Sequence, residues 1–188
     1  MKVRKVVVAF MVLSVVSMPQ AMASIGLGVS LTGDGQAIYF PIKANNGLLI
    51  EPYISYSSFN NDNEWHEIDN KDQAVGIGVM KSVANQQPLQ FYYGIRLAAI
   101  KGEDKFQDIY HRIKSKTKTT GYSLAPTIGF EYPIMDNFSL SGEASYYFSK
   151  EKHVMTETYN SYGNSFSRES TSRSRSTETK LIFRYMFN

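Results

Sequence analysis

The chain ends in the sequence KLIFRYMFN, residues 180–188, in which apolar side chains recur at every second position. Successive side chains of a β-strand point to opposite faces, so this segment predicts a strand with one apolar and one partly charged face. The apolar face carries Leu181, Phe183, Tyr185 and Phe187, and the other face carries Lys180, Ile182, Arg184 and Met186. The aromatic side chains would line the core of a soluble protein, or contact lipid in a membrane barrel.

Residues 1–23 have the pattern of a cleaved secretory signal. Lys2, Arg4 and Lys5 precede the apolar run VVVAFMVLSVV, and AMA at residues 21–23 matches a small-residue cleavage site. The apolar run is shorter than the ~20 residues that a membrane-spanning helix needs. We therefore expect a signal peptide at 1–23 and one domain at 24–188.

Removal of this segment changes the charge balance. The full chain has 20 Lys and Arg against 17 Asp and Glu, and residues 1–23 hold three basic and no acidic side chains. The remaining domain has 17 charges of each sign and gives no support for nucleic-acid binding. The chain has no Cys, which excludes disulfides and a lipid-modified cysteine.

The alternation of the tail recurs along the whole domain. Seven further segments show it, at residues 25–32, 37–43, 48–58, 74–81, 89–99, 122–132 and 138–148. The connections between them are short on one side and long on the other, the long ones being residues 60–71, 102–118 and 151–174. The pattern predicts an all-β fold, an eight-stranded antiparallel up-and-down transmembrane β-barrel with short periplasmic turns and long extracellular loops.

The composition of the polar face indicates which face meets lipid. It is built mainly from Ser, Gly, Thr and Ala, whereas the exterior of a soluble lipocalin-type barrel would carry many Lys and Glu. Aromatic residues also gather near predicted strand ends, as in the interfacial girdles of membrane barrels. We therefore predict that the apolar face contacts lipid.

These features resemble the small eight-stranded outer-membrane barrels of the OmpX/OmpA-like kind. Phe183, Tyr185 and Phe187 match the alternating hydrophobic tail that the barrel-assembly machinery reads in that family, although Asn188 follows the last aromatic and Ile182 stands where many members have Gly. The resemblance implies a bacterial outer-membrane protein surrounded by lipid and lipopolysaccharide. We expect a monomer.

Six charged residues fall on the polar face and are predicted to point into the lumen. They are Glu51, Arg96, Glu131, Glu143, Lys180 and Arg184. Buried charges are costly unless paired, so we predict a salt-bridge network that fills the lumen, with Glu143 paired to Lys180 on the next strand. The alternative is a narrow porin-like channel for small solutes.

The sequence gives little support for catalysis. His66, His111 and His153 all fall in predicted loops, so no His on a predicted strand could join a Ser and a carboxylate in a barrel-wall esterase. We predict no enzyme activity, no cofactor and no metal site, and keep a lipid-A-modifying enzyme as the third alternative.

Basic residues cluster in the last two long connections. They are Lys114, Lys116, Lys118, Arg168, Arg173 and Arg175. Such a strip above the outer leaflet would meet lipid-A phosphates through charge-assisted hydrogen bonds. The function that we predict is therefore a non-enzymatic surface barrel with a structural role, using its loops for lipopolysaccharide contact or for adhesion.

Overall fold

The computed structural model describes residues 24–32, 35–63, 65–83, 88–108, 113–159 and 164–187. The predicted signal peptide and Asn188 lie outside these residues. Within them, no helix has the length and apolar character needed to cross a membrane.

The described residues form nine strand segments in a single antiparallel sheet. These are β1 (Ser24–Thr32), β2 (Gly35–Tyr39), β3 (Ile42–Lys43), β4 (Leu48–Asp62), β5 (His66–Ser82), β6 (Gln90–Asp108), β7 (Ile113–Met135), β8 (Phe138–Tyr159) and β9 (Asn164–Phe187). Segments β2 and β3 are the two parts of one barrel strand, because both lie between β1 and β4. The break falls at Phe40 and Pro41, where proline has no N–H to donate to the ladder.

The sheet closes into a ring because the last strand pairs with the first. β9 runs antiparallel to β1, with Leu181 opposite Leu31 and Phe187 opposite Ile25. Closure gives an eight-stranded ring, in which the paired strands leave no open edge at this level. The predicted fold class is confirmed.

The strands on the extracellular side are longer than the sequence pattern predicted. β8 and β9 pair without interruption from Phe138 opposite Tyr185 to Tyr159 opposite Asn164. Much of the predicted long connection 151–174 is therefore a hairpin of two strands. Polar side chains occupy both faces of this hairpin, and its ladder continues in the register that the barrel wall sets.

The apolar face of the tail points outward. Leu181 and Phe187 are 50% and 56% exposed, whereas the intervening Ile182 is fully buried. Aromatic pairs lie on the same outer face. Ring centroids are 5.3 Å apart for Tyr185 and Phe187 at the end of β9, and 4.9 Å apart for Tyr146 and Phe148 in the middle of β8. A continuous apolar belt on the outside of a closed barrel is stable only in lipid, so the apolar face of the tail contacts lipid and does not line a core.

The tail allows a direct test of this orientation. Replacing Phe187 with Asp should reduce the yield of folded barrel, because charges on a lipid face cost roughly 2–4 kcal/mol at the midplane and less near an interface. The yield is measured by the heat-dependent gel shift after refolding into detergent, with Phe187→Tyr as the matched control. Parental yield and heat stability of Phe187→Asp would contradict the outward assignment.

Candidate functional site

Four charged residues from four different strands meet at the centre of the lumen. Arg96 Nη2 lies 2.5 Å from Glu51 Oε2 and 2.7 Å from Glu143 Oε1. Arg184 Nε lies 2.7 Å from Glu51 Oε1, and its Nη2 lies 3.2 Å from Glu143 Oε1. Each carboxylate thus contacts both guanidinium groups. We call these four residues the lumen cluster.

The lumen cluster is almost completely shielded from solvent. The side chains of Arg96, Glu51 and Glu143 are 0% exposed, and that of Arg184 is 1% exposed. Two acids and two bases give the cluster no net charge, which compensates for the cost of burying each ion. An ion path along the barrel axis would have to cross these side chains.

Aromatic rings complete the packing around the two arginines. The Arg96 guanidinium lies 5.1 Å from the ring centroid of Tyr39 and 5.5 Å from that of Tyr53. The guanidinium therefore gains cation–π attraction from two rings. Its Nη1 is buried and has no hydrogen-bond partner among the described residues.

A glycine on the neighbouring strand positions one further ligand of the cluster. Tyr92 lies opposite Gly129, and a Cβ atom at Gly129 would come within 2.6 Å of the Tyr92 ring. The ring occupies the space that a side chain at residue 129 would fill. From this position the Tyr92 hydroxyl donates a hydrogen bond to Glu143 Oε1, at 2.9 Å.

The predicted ion pair between Glu143 and Lys180 is wrong. The two residues are register partners on β8 and β9, but Lys180 Nζ donates to the Tyr147 hydroxyl at 3.2 Å. The carboxylate of Glu143 is already bound by the guanidinium groups of Arg96 and Arg184. A planar guanidinium offers several fixed donors to a carboxylate, whereas the lysine ammonium is a compact point charge.

Glu131 lies apart from the lumen cluster, near the periplasmic turns. Its Oε2 is 3.4 Å from Lys43 Nζ, and its Oε1 accepts a hydrogen bond from Ser139 Oγ at 2.6 Å. Lys43 also donates to Gln90 Oε1 at 3.2 Å. Sequence reasoning missed Lys43, since it ends the least regular of the predicted strands.

The six basic residues predicted to bind phosphate do not form one strip. Lys118 lies opposite Val154 on β8, whereas Arg173 lies opposite Lys150 on the same strand. Four residues of β8, about 13 Å at ~3.3 Å per residue, separate these two positions. Lys114 and Lys116 lie opposite residues of β8 that are still further from the membrane. Arg168 lies on the inner face of β9, because it is an odd number of residues from the outward-facing Arg173.

The lower group lies at the edge of the apolar belt and includes a residue that was not predicted. Lys150, Arg173 and Arg175 are exposed on the outer face, and we call them the girdle cations. The Arg175 guanidinium lies 6.0 Å from the ring centroid of Phe148, within the aromatic girdle. None of the three makes an ion pair with any residue that the structure describes. Lys150 was missed because the predicted strand ended at residue 148.

Lys150 and Arg173 are directly opposite each other on β8 and β9, in the type of cross-strand pair whose side chains lie closest together. Met186 N–H donates to the carbonyl oxygen of Asn137, so even-numbered residues of β9 form the hydrogen-bonded pairs with β8. Arg173 therefore sits in a non-hydrogen-bonded pair, where Cα atoms are only about 4.5 Å apart. Like charges directly opposite one another destabilise a sheet unless an anion lies between them.

The upper lysines are partly neutralised within the sheet. Lys116 Nζ lies 2.9 Å from Glu103 Oε1, and Lys105 Nζ lies 3.3 Å from the same oxygen. The hydrogen bond from Lys116 holds the pKa of the Glu103 carboxyl below its ordinary value. The upper group thus has less attraction for an external anion than the girdle cations have.

Two histidines lie on strands, contrary to the sequence prediction. His66 begins β5, and His153 lies on β8 with its Nε2 2.8 Å from Ser172 Oγ. His153 Nδ1 meets the Thr119 hydroxyl at 3.0 Å, where a serine-hydrolase triad would place a carboxylate. His111 lies outside the described residues. Within the described part of the chain, no group of three or more His, Asp or Glu side chains could hold a metal ion.

The closed ring, its outer apolar belt and its charged lumen define a transmembrane barrel of the bacterial outer membrane. The fold matches the crystal structure of a major outer membrane protein from Thermus thermophilus, with a TM-score of 0.68 and 11% identity over 88% of this chain and 100% of that one. It also matches Neisserial surface protein A, with a TM-score of 0.52 and 16% identity over 88% of this chain and 94% of that one. No protein-family model matches the chain, and a comparison with curated proteins finds no match. At these identities the likeness concerns the fold.

Proposed function

We propose that the protein is a non-conducting surface barrel that binds lipopolysaccharide through its girdle cations. The observation that carries the proposal is the exposed Lys150–Arg173 pair, two like charges that face each other without an acidic partner in the described residues. A lipid-A phosphate placed between them would relieve the repulsion and accept charge-assisted hydrogen bonds from both.

The position of the girdle cations supports this ligand. Arg175 contacts the ring of Phe148, so the cations begin where the lipid-facing aromatics end. Lipid-A phosphates lie at the boundary between the acyl chains and the aqueous phase, which is the same level. Lys114, Lys116 and Lys118 lie further from the apolar belt, where they would contact negatively charged groups above lipid A.

The lumen opposes the alternative of a channel. Four fully or almost fully buried side chains cross the barrel at one level, and Tyr92 packs against them. A barrel of eight strands has an interior just wide enough for side chains to fill. We therefore propose that the surface, and not the interior, is the functional part of the molecule.

The proposal is tested with a triple variant, Lys150→Gln, Arg173→Gln and Arg175→Gln. Lipopolysaccharide retained by the refolded barrel should fall about tenfold or more, because three charge-assisted contacts are lost. Binding by the parent should also weaken as salt rises, since exposed charges are screened over a Debye length of ~8 Å at physiological ionic strength.

The matched control is the triple variant Lys114→Gln, Lys116→Gln and Lys118→Gln, which removes the same charge from the upper group. We expect a smaller loss of binding, because Lys116 is already paired with Glu103. If the girdle variant binds lipopolysaccharide as well as the parent does, the proposal fails and adhesion through a protein partner becomes the better explanation. Heat-dependent gel mobility confirms that each variant is folded.

A further inference from the structure

The inner face of the extracellular wall is acidic. Side chains alternate between the two faces of each strand, so the buried lumen residues below show which positions of the upper wall point inward. Above the lumen cluster, the inward positions of the described strands hold more acids than bases. The acids are Asp72, Asp104, Asp108, Glu151, Glu157 and Glu178, and the bases are Lys180 and Arg168, with His66 and His153 as the two inward histidines.

Two glycines let a pair of these acids lean towards each other. A Cβ atom at Gly102 on β6 would clash with the carboxylate of Asp72, its partner on β5. A Cβ atom at Gly121 on β7 would lie 2.7 Å from Cγ of Glu151, its partner on β8. Both acids therefore extend over a glycine towards the middle of the same wall. Thr119 lies between them, since it is the register partner of Gly102 and the next inward residue to Gly121.

A third acid lies beside this pair. Asp104 is the next inward residue after Gly102 on β6. Burial, the charge of Asp104 and the charge of Glu151 together raise the pKa of the Asp72 carboxyl above its ordinary value. Neither Asp72 nor Asp104 forms an ion pair with any residue that the structure describes. We call Asp72, Asp104 and Glu151 the vestibule acids.

The polar groups in contact with the vestibule acids are hydroxyls and one imidazole. Glu151 accepts a hydrogen bond from Ser149 Oγ at 2.9 Å, and its Oε2 lies 3.9 Å from His153 Nε2. The two ring nitrogens of His153 are engaged by Thr119 Oγ1 at 3.0 Å and Ser172 Oγ at 2.8 Å. No lysine or arginine of the described chain lies among the three acids.

The other inward charges lie towards the two ends of the wall. Among the described residues, β4 and β7 contribute no inward charge at this level. Lys180 and Glu178 are nearer the lumen cluster, whereas Arg168, Glu157, Asp108 and His66 are nearer the extracellular tips. The vestibule acids therefore repel one another when all three are ionised.

We propose that the vestibule acids are an acid-sensitive contact between β5 and β8, which loosens the extracellular sheet at neutral pH and tightens it when the surroundings become mildly acidic. A protonated carboxyl can donate a hydrogen bond to a neighbouring carboxylate or hydroxyl, so proton uptake replaces repulsion with attraction. The contact is separate from the proposed lipopolysaccharide site, because the vestibule acids point inward and the girdle cations point outward.

The direction of the effect follows from the raised pKa of Asp72. Its carboxyl binds a proton more tightly in the folded sheet than in the unfolded chain, so the sheet gains stability as pH falls through the raised pKa. The gain is complete below the ordinary Asp value of ~3.9. On the outer face, hydrogen bonds from Lys71 and Lys116 lower the pKa of Asp69 and Glu103. These outer ion pairs therefore persist over the same pH range.

The test is amide hydrogen exchange of the refolded barrel in detergent micelles, at about pH 7.5 and about pH 5, expressed as protection factors. Protection of residues 67–73 on β5 and 150–157 on β8 should rise several-fold at the lower pH, by about tenfold for each unit by which the pKa of Asp72 is raised. Residues 76–82, lower on β5, should not respond and are the internal reference. EDTA is present throughout, so that a bridging divalent ion cannot produce the effect.

Four variants identify the groups responsible. Asp72→Asn should show high protection at both pH values, because the repulsion is already removed, and Gly102→Ala should weaken the response by displacing the Asp72 carboxylate. Asp62→Asn, which removes an exposed acid from β4, is the matched control and should respond as the parent does, as should His153→Gln. An unresponsive parent, a full response in Asp72→Asn or Gly102→Ala, or a response lost in His153→Gln would overturn the proposal. Heat-dependent gel mobility confirms that each variant is folded.

Discussion

Replacing Glu143 with Gln should lower the free energy of unfolding by about 3–5 kcal/mol, the usual effect of removing one partner from a buried ion pair. The Glu143 carboxylate contacts both Arg96 and Arg184 and accepts a hydrogen bond from the Tyr92 hydroxyl. Gln has the same shape but no charge, so the lumen cluster would hold two guanidinium groups against the single carboxylate of Glu51. The measurement is urea unfolding in lipid vesicles, followed by circular dichroism.

Two controls make this result specific to the buried cluster. Glu169→Gln removes an acid whose ion pair with Lys152 is exposed, at 60% and 51% for the two side chains. An exposed pair contributes only about 0–1 kcal/mol, so this variant should unfold almost as the parent does. The double variant Arg96→Met, Glu143→Leu should lose less stability than the sum of its single changes. Strict additivity would show that the two side chains do not interact.

The ring, its orientation and the inward position of the charged residues could be predicted from the alternation of side chains. In the tail, Leu181 and Phe187 are exposed while Ile182 and Arg184 are buried, as a period of two requires. The pairing of acids with bases inside the lumen could not be predicted from this alternation. The positions of Glu143 and Lys180 on neighbouring strands suggested an ion pair between them. Instead, Arg184 reaches across the lumen to Glu51, a residue 133 positions earlier in the sequence. Such a contact depends on the stagger of the strands, which local sequence does not encode.

The extracellular part was harder to predict for a different reason. Residues 151–174 have polar side chains on both faces, so no hydrophobic period distinguishes a strand from a loop there. Their ladder depends on the register set by the barrel wall below. The outward position of Lys150 opposite Arg173 follows from this extension. The pair could therefore be recognised only once the pairing of β8 with β9 was known.

Emptying the lumen should convert the barrel into a weak channel. The variant Glu51→Ser, Arg96→Ser, Glu143→Ser, Arg184→Ser removes four long side chains and keeps the net charge of the lumen unchanged, because two acids and two bases are lost together. Water can then fill the space that these side chains occupied, and the remaining serines can hydrogen-bond to it. Planar-bilayer recordings should show current steps for this variant and none for the parent.

A second variant separates the volume of the lumen cluster from its charge. The variant Glu51→Leu, Glu143→Leu, Arg96→Met, Arg184→Met also removes every ion of the lumen cluster, but keeps the space filled by side chains of similar size. Replacing buried ion pairs by apolar groups of matching volume is often neutral or stabilising, so this barrel should fold and stay closed. Current through the parent would overturn the proposal of a non-conducting barrel. Current through the Leu and Met variant would show that the charges, and not the filled volume, close the lumen.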